Sequence, residues 1–454
     1  MTILSKKNIT IILIMLLAAT VRVILFFTFN ANNLSEIIPH IFAPDSDAKG
    51  YHQLAHNLLT YGNFTGNGSD YIFTFFTLDS ARTPGYPCFL ALIYSLFGTH
   101  PGWIIGFQIL LNLMSIFLVF KIALQLAFSR STALIAAFVF SIDIHTIMFI
   151  YELYSETLFV FLLLFSVFLF LKFRETGISG FLIFAGLLLG LLAMIRPISL
   201  YLPIIFLVVI IYHQKISNRM QFSKIAIFIT VFLVTISIWY IRNYSVYGTY
   251  GFSTLPSKNL YLLNAVYTES NSKNKNATDI EREFIDNAIE KGISIDNNPF
   301  ENARILKNLA VRYISENIYV FTKEHIQGMV NMYLSTGHRK ILQRFGVDVS
   351  KGGKKYSPSD LNRLLTSKKN ELICVFLLIL YLIICYVFSL AGVVFLIKNK
   401  MIFHCILFTG IILYFTLLTG IAGCPRLKIP VVPFYSILCG YGIIISLNYF
   451  KKYC

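Results

Sequence analysis

Residues 155–174 read SETLFVFLLLFSVFLFLKFR, with no charge between Glu156 and Lys172. A helix rises 1.5 Å per residue, so about 20 apolar residues cross a bilayer. A run this apolar on every face has no side to turn to water. Comparable runs recur at 8–30, 102–126, 131–150, 155–171, 179–195, 198–212, 224–241, 372–397, 401–421 and 430–449, some reaching spanning length only with flanking residues. The composition points the same way. The 454 residues are 56% hydrophobic and only 13% charged, where a soluble domain carries roughly 25% charged residues. So few charges cannot cover a soluble surface. The expected fold is an all-α polytopic membrane protein of about ten transmembrane helices. A cytosolic enzyme, a nucleic-acid binder and a secreted disulfide scaffold are excluded. The formal net charge of +16 then belongs to cytoplasmic loops and to contact with anionic membrane lipid.

Seven cysteines are an odd number, and Cys374, Cys385, Cys405 and Cys439 sit inside apolar runs without any C-x-x-C spacing. They read as small hydrophobes rather than as a disulfide set or a metal site. The first apolar run exceeds a signal-peptide length and lacks a small-residue cleavage site, so it is expected to be a retained span.

Orientation follows from lysine and arginine in the short loops. Placing Lys6 and Lys7 in the cytoplasm also puts Arg130, Lys172, Arg174, Lys215, Arg219, Lys224, Lys398, Lys400, Lys451 and Lys452 there, and leaves only Arg196, Arg426 and Lys428 in the opposite short loops. Both termini are thus expected in the cytoplasm of a multi-pass plasma (inner) membrane protein. Three regions follow. Residues 1–241 form an N-terminal transmembrane module whose first outer loop is 31–100, 242–371 form a mostly helical extracytoplasmic insert, and 372–454 hold the C-terminal transmembrane helices. In the insert, Thr278-Asp-Ile-Glu281 has the form of a capping box for a helix stopping at Gly292,. Asn298-Pro299 opens another, amphipathic helix, expected to lie on the membrane surface or to cap the bundle.

Ionisable residues collect at the outer edge. In the first outer loop, Pro44-Asp45-Ser46-Asp47 precedes AKGYHQLAHNLLTYG, an interfacial amphipathic helix with Asp47 in its first turn and an end near Gly62,. Arg82-Thr-Pro-Gly-Tyr-Pro87 leads into a short, half-embedded apolar helix. Glu152, Glu156, Arg196, Arg242 and Arg426 fall on the same face. Singly, each is adequately explained as an interface anchor. Together, carboxylates at the ends of spans conflict with the cost of charge near hydrocarbon unless paired or functional. Arginines converging on them would make an anion site. Arg22, inside the first span, must snorkel or pair with a carboxylate. A divalent metal, if one is used, would take His52 and His56 with Asp47 or Glu156, although two histidines on an interfacial helix are more often bystanders.

The order of these pieces resembles a known family. Asp47-Ala48-Lys-Gly-Tyr51 runs into x-x-Leu-Ala-x-x-Leu. Arg82 to Pro87 then precedes an apolar run ending Phe97-Gly98. After it come Ser155-Glu156, Arg196-Pro197, Arg242-Asn243-Tyr244 with Gly248, Asn259-Leu-Tyr261, and Arg426 with Pro430 and Pro433. The chain resembles the polytopic glycosyltransferases of the GT-C superfamily. Within them it is most similar to the bacterial branch related to protein O-mannosyltransferases and the lipid A aminoarabinose transferase, of the glycosyltransferase family 39 type. The resemblance implies transfer of a sugar from a polyprenyl-phosphate donor at an extracytoplasmic active site, with a glycan, lipid or protein as acceptor and no nucleic-acid partner. By motif position it makes Asp47 the catalytic carboxylate, with Asp45 as the alternative because Ser46 separates the two. It puts Tyr51 and Arg82 near the lipid phosphate. The chemistry of the residues agrees. Sugar transfer to a hydroxyl needs a general base near the acceptor oxygen and cations near the departing phosphate. Asp47 is the expected base of an inverting displacement. Arg82, Arg196 and Arg242 are the expected phosphate ligands. Glu156 would position the acceptor or hold a metal, and Arg426 is a looser member of the group. The rival reading is a multi-span transporter or lipid flippase, which would place its ionisable residues near the bilayer midplane. A non-catalytic membrane scaffold would leave all of them replaceable.

Overall fold

A computed structural model describes residues 9–31, 47–66, 76–216, 221–345 and 358–453, and these are helical with no strand among them. Six helices are long and apolar enough to cross a membrane: Ile9–Phe29, Pro101–Gln125, Glu156–Thr176, Phe222–Tyr247, Glu371–Lys398 and Ile429–Lys451. Shorter apolar helices are Gly85–Phe97, Arg130–Ser141, Ser179–Ile195, Pro197–Tyr212 and Ile402–Leu418. Every apolar run of the sequence therefore lies on a helix, and the chain is an all-α polytopic membrane protein. The run at 131–150 is broken. Asp143 ends the Arg130–Ser141 helix and caps Ile144–Phe149 by accepting the Thr146 N–H at 2.8 Å. A short carboxylate within an apolar stretch competes with the helical backbone for its own hydrogen bonds.

The C-terminal helix Val432–Tyr453 is central. It packs on Pro358–Lys398 and on Arg130–Ser141, while Ser179–Ile195 lies between Glu156–Thr176 and Phe222–Tyr247. With lipid as apolar as leucine, such helices associate by close packing of small residues rather than by hydrophobic exclusion. Gly442 illustrates this. A Cβ there would stand 2.0 Å from the Phe388 carbonyl oxygen. Arg22 is fully buried and takes neither expected route. It donates to Asn112 Oδ1 at 2.7 Å and to the Ala18 and Ser141 carbonyls at 3.0 Å. Neutral acceptors, its own helix included, replace the carboxylate.

Outside the spanning helices, Asp47–Tyr61 forms as expected and Gly62 follows it with φ 66°. The insert folds as a helical cap over a small apolar core of Phe76, Tyr261, Ala265, Ala288, Ile293, Ala303, Leu306 and Ala310. The helix Ala277–Glu290 is capped by Asn276, which accepts the Thr278 N–H, so the cap lies two residues before the Thr278 box read from the sequence. Pro299–Glu316 begins at Asn298 as expected and turns its inner face to the π-helix Asn259–Ala265. The boundaries expected at 241/242 and 371/372 fall inside the continuous helices Phe222–Tyr247 and Pro358–Lys398.

Gly442→Ala is expected to destabilise the detergent-solubilised protein by about 1–3 kcal/mol through overpacking. The matched change Gly106→Ala, whose Cβ meets nothing within 4 Å, should leave it unchanged or gain up to about 1 kcal/mol of helix propensity. Thermal unfolding of the two variants beside the parent protein measures both.

Candidate active site

Five charged side chains from separate segments meet at one end of the bundle. Asp47 occupies the first turn of its helix, where the helix dipole favours an anion,. Arg82 follows the short helix Leu78–Ala81 and precedes Gly85–Phe97. Gly85 starts that helix directly against the end of Ser179–Ile195: a Cβ would lie 2.7 Å from Ile195 Cγ1 and 2.8 Å from the Met194 carbonyl. This contact brings Arg82 beside Arg196, the residue that ends the Ser179–Ile195 helix. Glu156 opens the Glu156–Thr176 helix and is fully buried. Arg426 lies in the turn between Ile402–Leu418 and the C-terminal helix.

The contacts form a chain. Arg82 pairs with Asp47 Oδ1. Arg426 Nη1 reaches Asp47 Oδ2 at 2.7 Å, while Arg426 Nε reaches Glu156 Oε1 at 2.6 Å. Arg196 Nη1 closes on the same Glu156 oxygen at 2.5 Å. Arg82 also lies 5.1 Å over the Tyr51 ring, and Arg426 4.1 Å over that of Tyr154, contacts of cation–π geometry. Burial alone would raise the Asp47 carboxyl, but the Arg82 and Arg426 guanidiniums outweigh it and hold it well below the usual carboxylate range. Burial likewise works against the charge on Arg82 and Arg426. Asp47 for the first, and Glu156 and Asp47 for the second, raise both above the ordinary arginine value. Three guanidiniums face two carboxylates. Arg82 Nε, Thr83 Oγ1, Ser155 Oγ and Glu156 Oε2 are buried there without a hydrogen-bond partner. An excess cation beside unused donors and acceptors suits a polar anionic ligand.

These groups border a cavity of about 870 Å³ lined by Asp47, Tyr51, Arg82, Arg196 and Arg426, by Lys258, Asn259 and Asn264 of the insert, and by Ile198, Tyr201, Leu417 and Leu418. The last four give one wall an apolar character. Tyr201, Leu417 and Leu418 are exposed on the bundle's flank. The insert's share comes from the Leu255–Lys258 turn of helix, the π-helix Asn259–Ala265 and, on Ile318–Leu334, Phe321 and His325. π-Helices are rare and frequent at functional sites, but no periodicity in the sequence announces one. Nothing in the local sequence marks Asn264 and His325, which also line this cavity.

Arg242 stands apart from the group. It donates to Asp79 Oδ2 at 2.6 Å and to the Phe64 carbonyl at 2.8 Å, and lies over Trp239 at 4.9 Å. Tyr247 donates to the same Asp79 oxygen at 2.6 Å. Arg242 therefore joins Phe64 and Asp79 to the Phe222–Tyr247 helix and does not line the cavity, so the expected phosphate contact is corrected to an internal ion pair. Its place beside Arg82 and Arg196 is taken by Arg426. Asp45 lies outside the described residues. Glu156 sits behind the arginines, so its contacts are with Arg196 and Arg426 rather than with the cavity. His52 and His56, the histidines a divalent metal would take, do not converge with Asp47 or Glu156. His52 Nδ1 meets the Tyr94 hydroxyl at 2.9 Å, and among the described residues no three His, Cys, Asp or Glu side chains converge. Asp47 and Glu156 are bridged by a guanidinium where a divalent ion would have to sit, so the residues present do not fit a metal.

The depressed Asp47 value fixes a sign. Its ion pairs contribute stability that is fully present above the ordinary carboxylate value and lost as pH falls through the lower, folded one. The melting-temperature deficit of Asp47→Asn is expected to be constant from pH 8 to about 5 and to shrink only below about 4. A deficit that disappears near neutrality would contradict the clamp.

Comparison with known proteins bears on the fold. Residues 81–240, which include Arg82, Glu156 and Arg196, match the family described as dolichyl-phosphate-mannose-protein mannosyltransferase. No curated protein matches in sequence. Among solved structures, the chain is similar to the Archaeoglobus fulgidus oligosaccharyltransferase tethered with an acceptor peptide containing the NVT sequon. The TM-score is 0.52 at 11% identity, over 97% of this chain and 50% of that one. The archaeal oligosaccharyltransferase AglB from the same organism, in complex with an inhibitory peptide and a dolichol-phosphate, gives 0.50 at 11% identity over 97% and 51%. ArnT from Cupriavidus metallidurans bound to undecaprenyl phosphate aligns at 0.40 and 11% over 94% and 77%, too slight a likeness to carry weight. The chain spans about half the length of the oligosaccharyltransferases it matches. It is a polytopic helical membrane protein that shares its fold with the archaeal oligosaccharyltransferase and is matched over residues 81–240 by the family described as dolichyl-phosphate-mannose-protein mannosyltransferase.

Proposed function

We propose that this chain is a membrane glycosyltransferase that moves a sugar from a polyprenyl-phosphate donor to a hydroxyl acceptor on the extracytoplasmic side. The observation that carries the reading is the Arg82–Asp47–Arg426–Glu156–Arg196 chain at the edge of a cavity with one apolar wall. The isoprenoid would lie along Tyr201, Leu417 and Leu418, and its phosphate would meet Arg82, Arg196 and Arg426 beside Tyr51. The acceptor oxygen attacks the anomeric carbon as the bond from that carbon to the phosphate oxygen breaks. The electron pair leaves with the phosphate, where the guanidiniums stabilise it. The acceptor proton passes to Asp47, and a single displacement inverts the centre.

This order of events answers a difficulty in the resting geometry. A carboxylate held far below its ordinary range by two guanidiniums is a weak base. An incoming phosphate shares those guanidiniums, so the Asp47 value rises when the donor is in place. Glu156 acts from behind by aiming Arg196 and Arg426. The loop charge bias supports an extracytoplasmic cavity with both termini in the cytoplasm, and the dolichol-phosphate in the AglB complex supports a prenyl-phosphate donor. The acceptor is a glycan, a lipid or a protein.

Asp47→Asn is expected to lower transfer about 10²–10⁴-fold, the range for loss of a general base. Donor binding should persist. Mass spectrometry of surface glycans and lipids from cells carrying either form reads the product, and undiminished product from the Asp47→Asn variant overturns the role of Asp47. Because a guanidinium bridges the two carboxylates, the same product should form in membranes washed with EDTA. Loss of product that Mg²⁺ or Mn²⁺ restores would reject the metal-free site.

A further inference from the structure

Two residues beyond Arg426, the chain buries a second cation. Lys428 is fully buried. The turn is tight: Leu427 N–H bonds the Cys424 carbonyl at 3.0 Å, Ile429 N–H the Arg426 carbonyl at 3.2 Å, and Val431 N–H the Lys428 carbonyl at 2.9 Å. Arg426 points into the cavity while Lys428 enters the bundle and donates to the Tyr386 hydroxyl at 3.5 Å. Tyr386 in turn donates to the Tyr333 carbonyl at 2.8 Å. Asp143, also fully buried, lies one tyrosine further on: it accepts from the Thr146 N–H at 2.8 Å, Tyr435 at 3.1 Å and Tyr381 at 3.4 Å, and the Tyr435 ring packs edge-on against Tyr386. Burial lowers the Lys428 ammonium from its ordinary value and Asp143 opposes the shift.

Charges placed this deep are costly, and an apolar pair of similar volume is often as stable or more so. Stability is therefore a poor account of Lys428. Its closeness in sequence to Arg426 supplies a better one. We propose that Lys428 is a positioning residue: its buried amine, hydrogen-bonded to the Tyr386 hydroxyl, anchors the turn that aims the Arg426 guanidinium at Asp47 and Glu156. Arg426's part in sugar transfer rests on the proposed function, but its position does not, so the two can be tested separately.

Lys428→Met alone leaves Asp143 unbalanced and risks a folding defect. The discriminating variant is therefore Asp143→Asn with Lys428→Met, which removes both charges and keeps a capping side chain at 143. Full-length protein in detergent is treated with phenylglyoxal, and modification of Arg426 is followed by peptide mass spectrometry. Arg242, paired elsewhere with Asp79, serves as the internal reference. The double variant is expected to melt no lower than the parent, while Arg426 reacts about tenfold faster, as a contact-level coupling predicts. Arg242 should be unchanged. Binding of farnesyl phosphate should weaken in parallel. Unaltered Arg426 reactivity overturns the proposal. So does a rise at Arg426 and Arg242 together with a lower melting temperature, which would make the pair ordinary core. Should the parent protein fail to bind farnesyl phosphate while Arg426 responds as expected, the transferase reading fails and the positioning role stands.

Discussion

The Arg426 guanidinium bridges two carboxylates that lie far apart in the N-terminal half of the chain, and one end of the bundle is organised around that bridge. Asp47 opens the Asp47–Tyr61 helix and Glu156 the Glu156–Thr176 helix. Each would be an expensive anion near hydrocarbon if left alone. Arg426 satisfies one oxygen of each at 2.7 and 2.6 Å, and Arg82 and Arg196 complete the set from either side. The five groups stabilise one another, so none can be assigned an independent worth. Removing one leaves a partly buried charge unbalanced, a larger penalty than the pair contributed.

The arrangement is rigid because helix ends rather than long loops carry it. Glu156 opens a spanning helix, Arg196 ends the shorter apolar helix Ser179–Ile195, Asp47 opens Asp47–Tyr61, and Arg82 is set by the contact of Gly85 with the 194–195 backbone. Arg242 contributes at one remove, by tying Asp79 to the Phe222–Tyr247 helix. Charged side chains held by well-packed elements need little reorganisation when a ligand's charge arrives, the condition under which electrostatic stabilisation is most effective.

Hydropathy made the helices legible because lipid imposes one rule on every residue of a span: no polar backbone or charged side chain goes unmatched. Departures from the sequence reading occur where a local polar choice competed. Asp143 interrupts an apolar run by capping the next helix. Asn276 captures the cap that Thr278 was expected to hold. Arg22 finds an amide and two carbonyls instead of a carboxylate. In each case two local solutions of similar free energy were available, and packing selected one.

The sequence by itself determined that the chain is a multi-span helical protein, that its ionisable residues gather at one edge, and that Asp47 begins an interfacial helix near Arg82. These follow from the period and polarity of short segments. Only the tertiary structure decided which arginines meet those carboxylates. Arg242 and Arg426 both lie at span ends, but the rotation of a helix about its axis and the path of a turn depend on contacts hundreds of residues away. Those contacts send Arg242 to Asp79 and bring Arg426, two residues from a buried lysine, between Asp47 and Glu156.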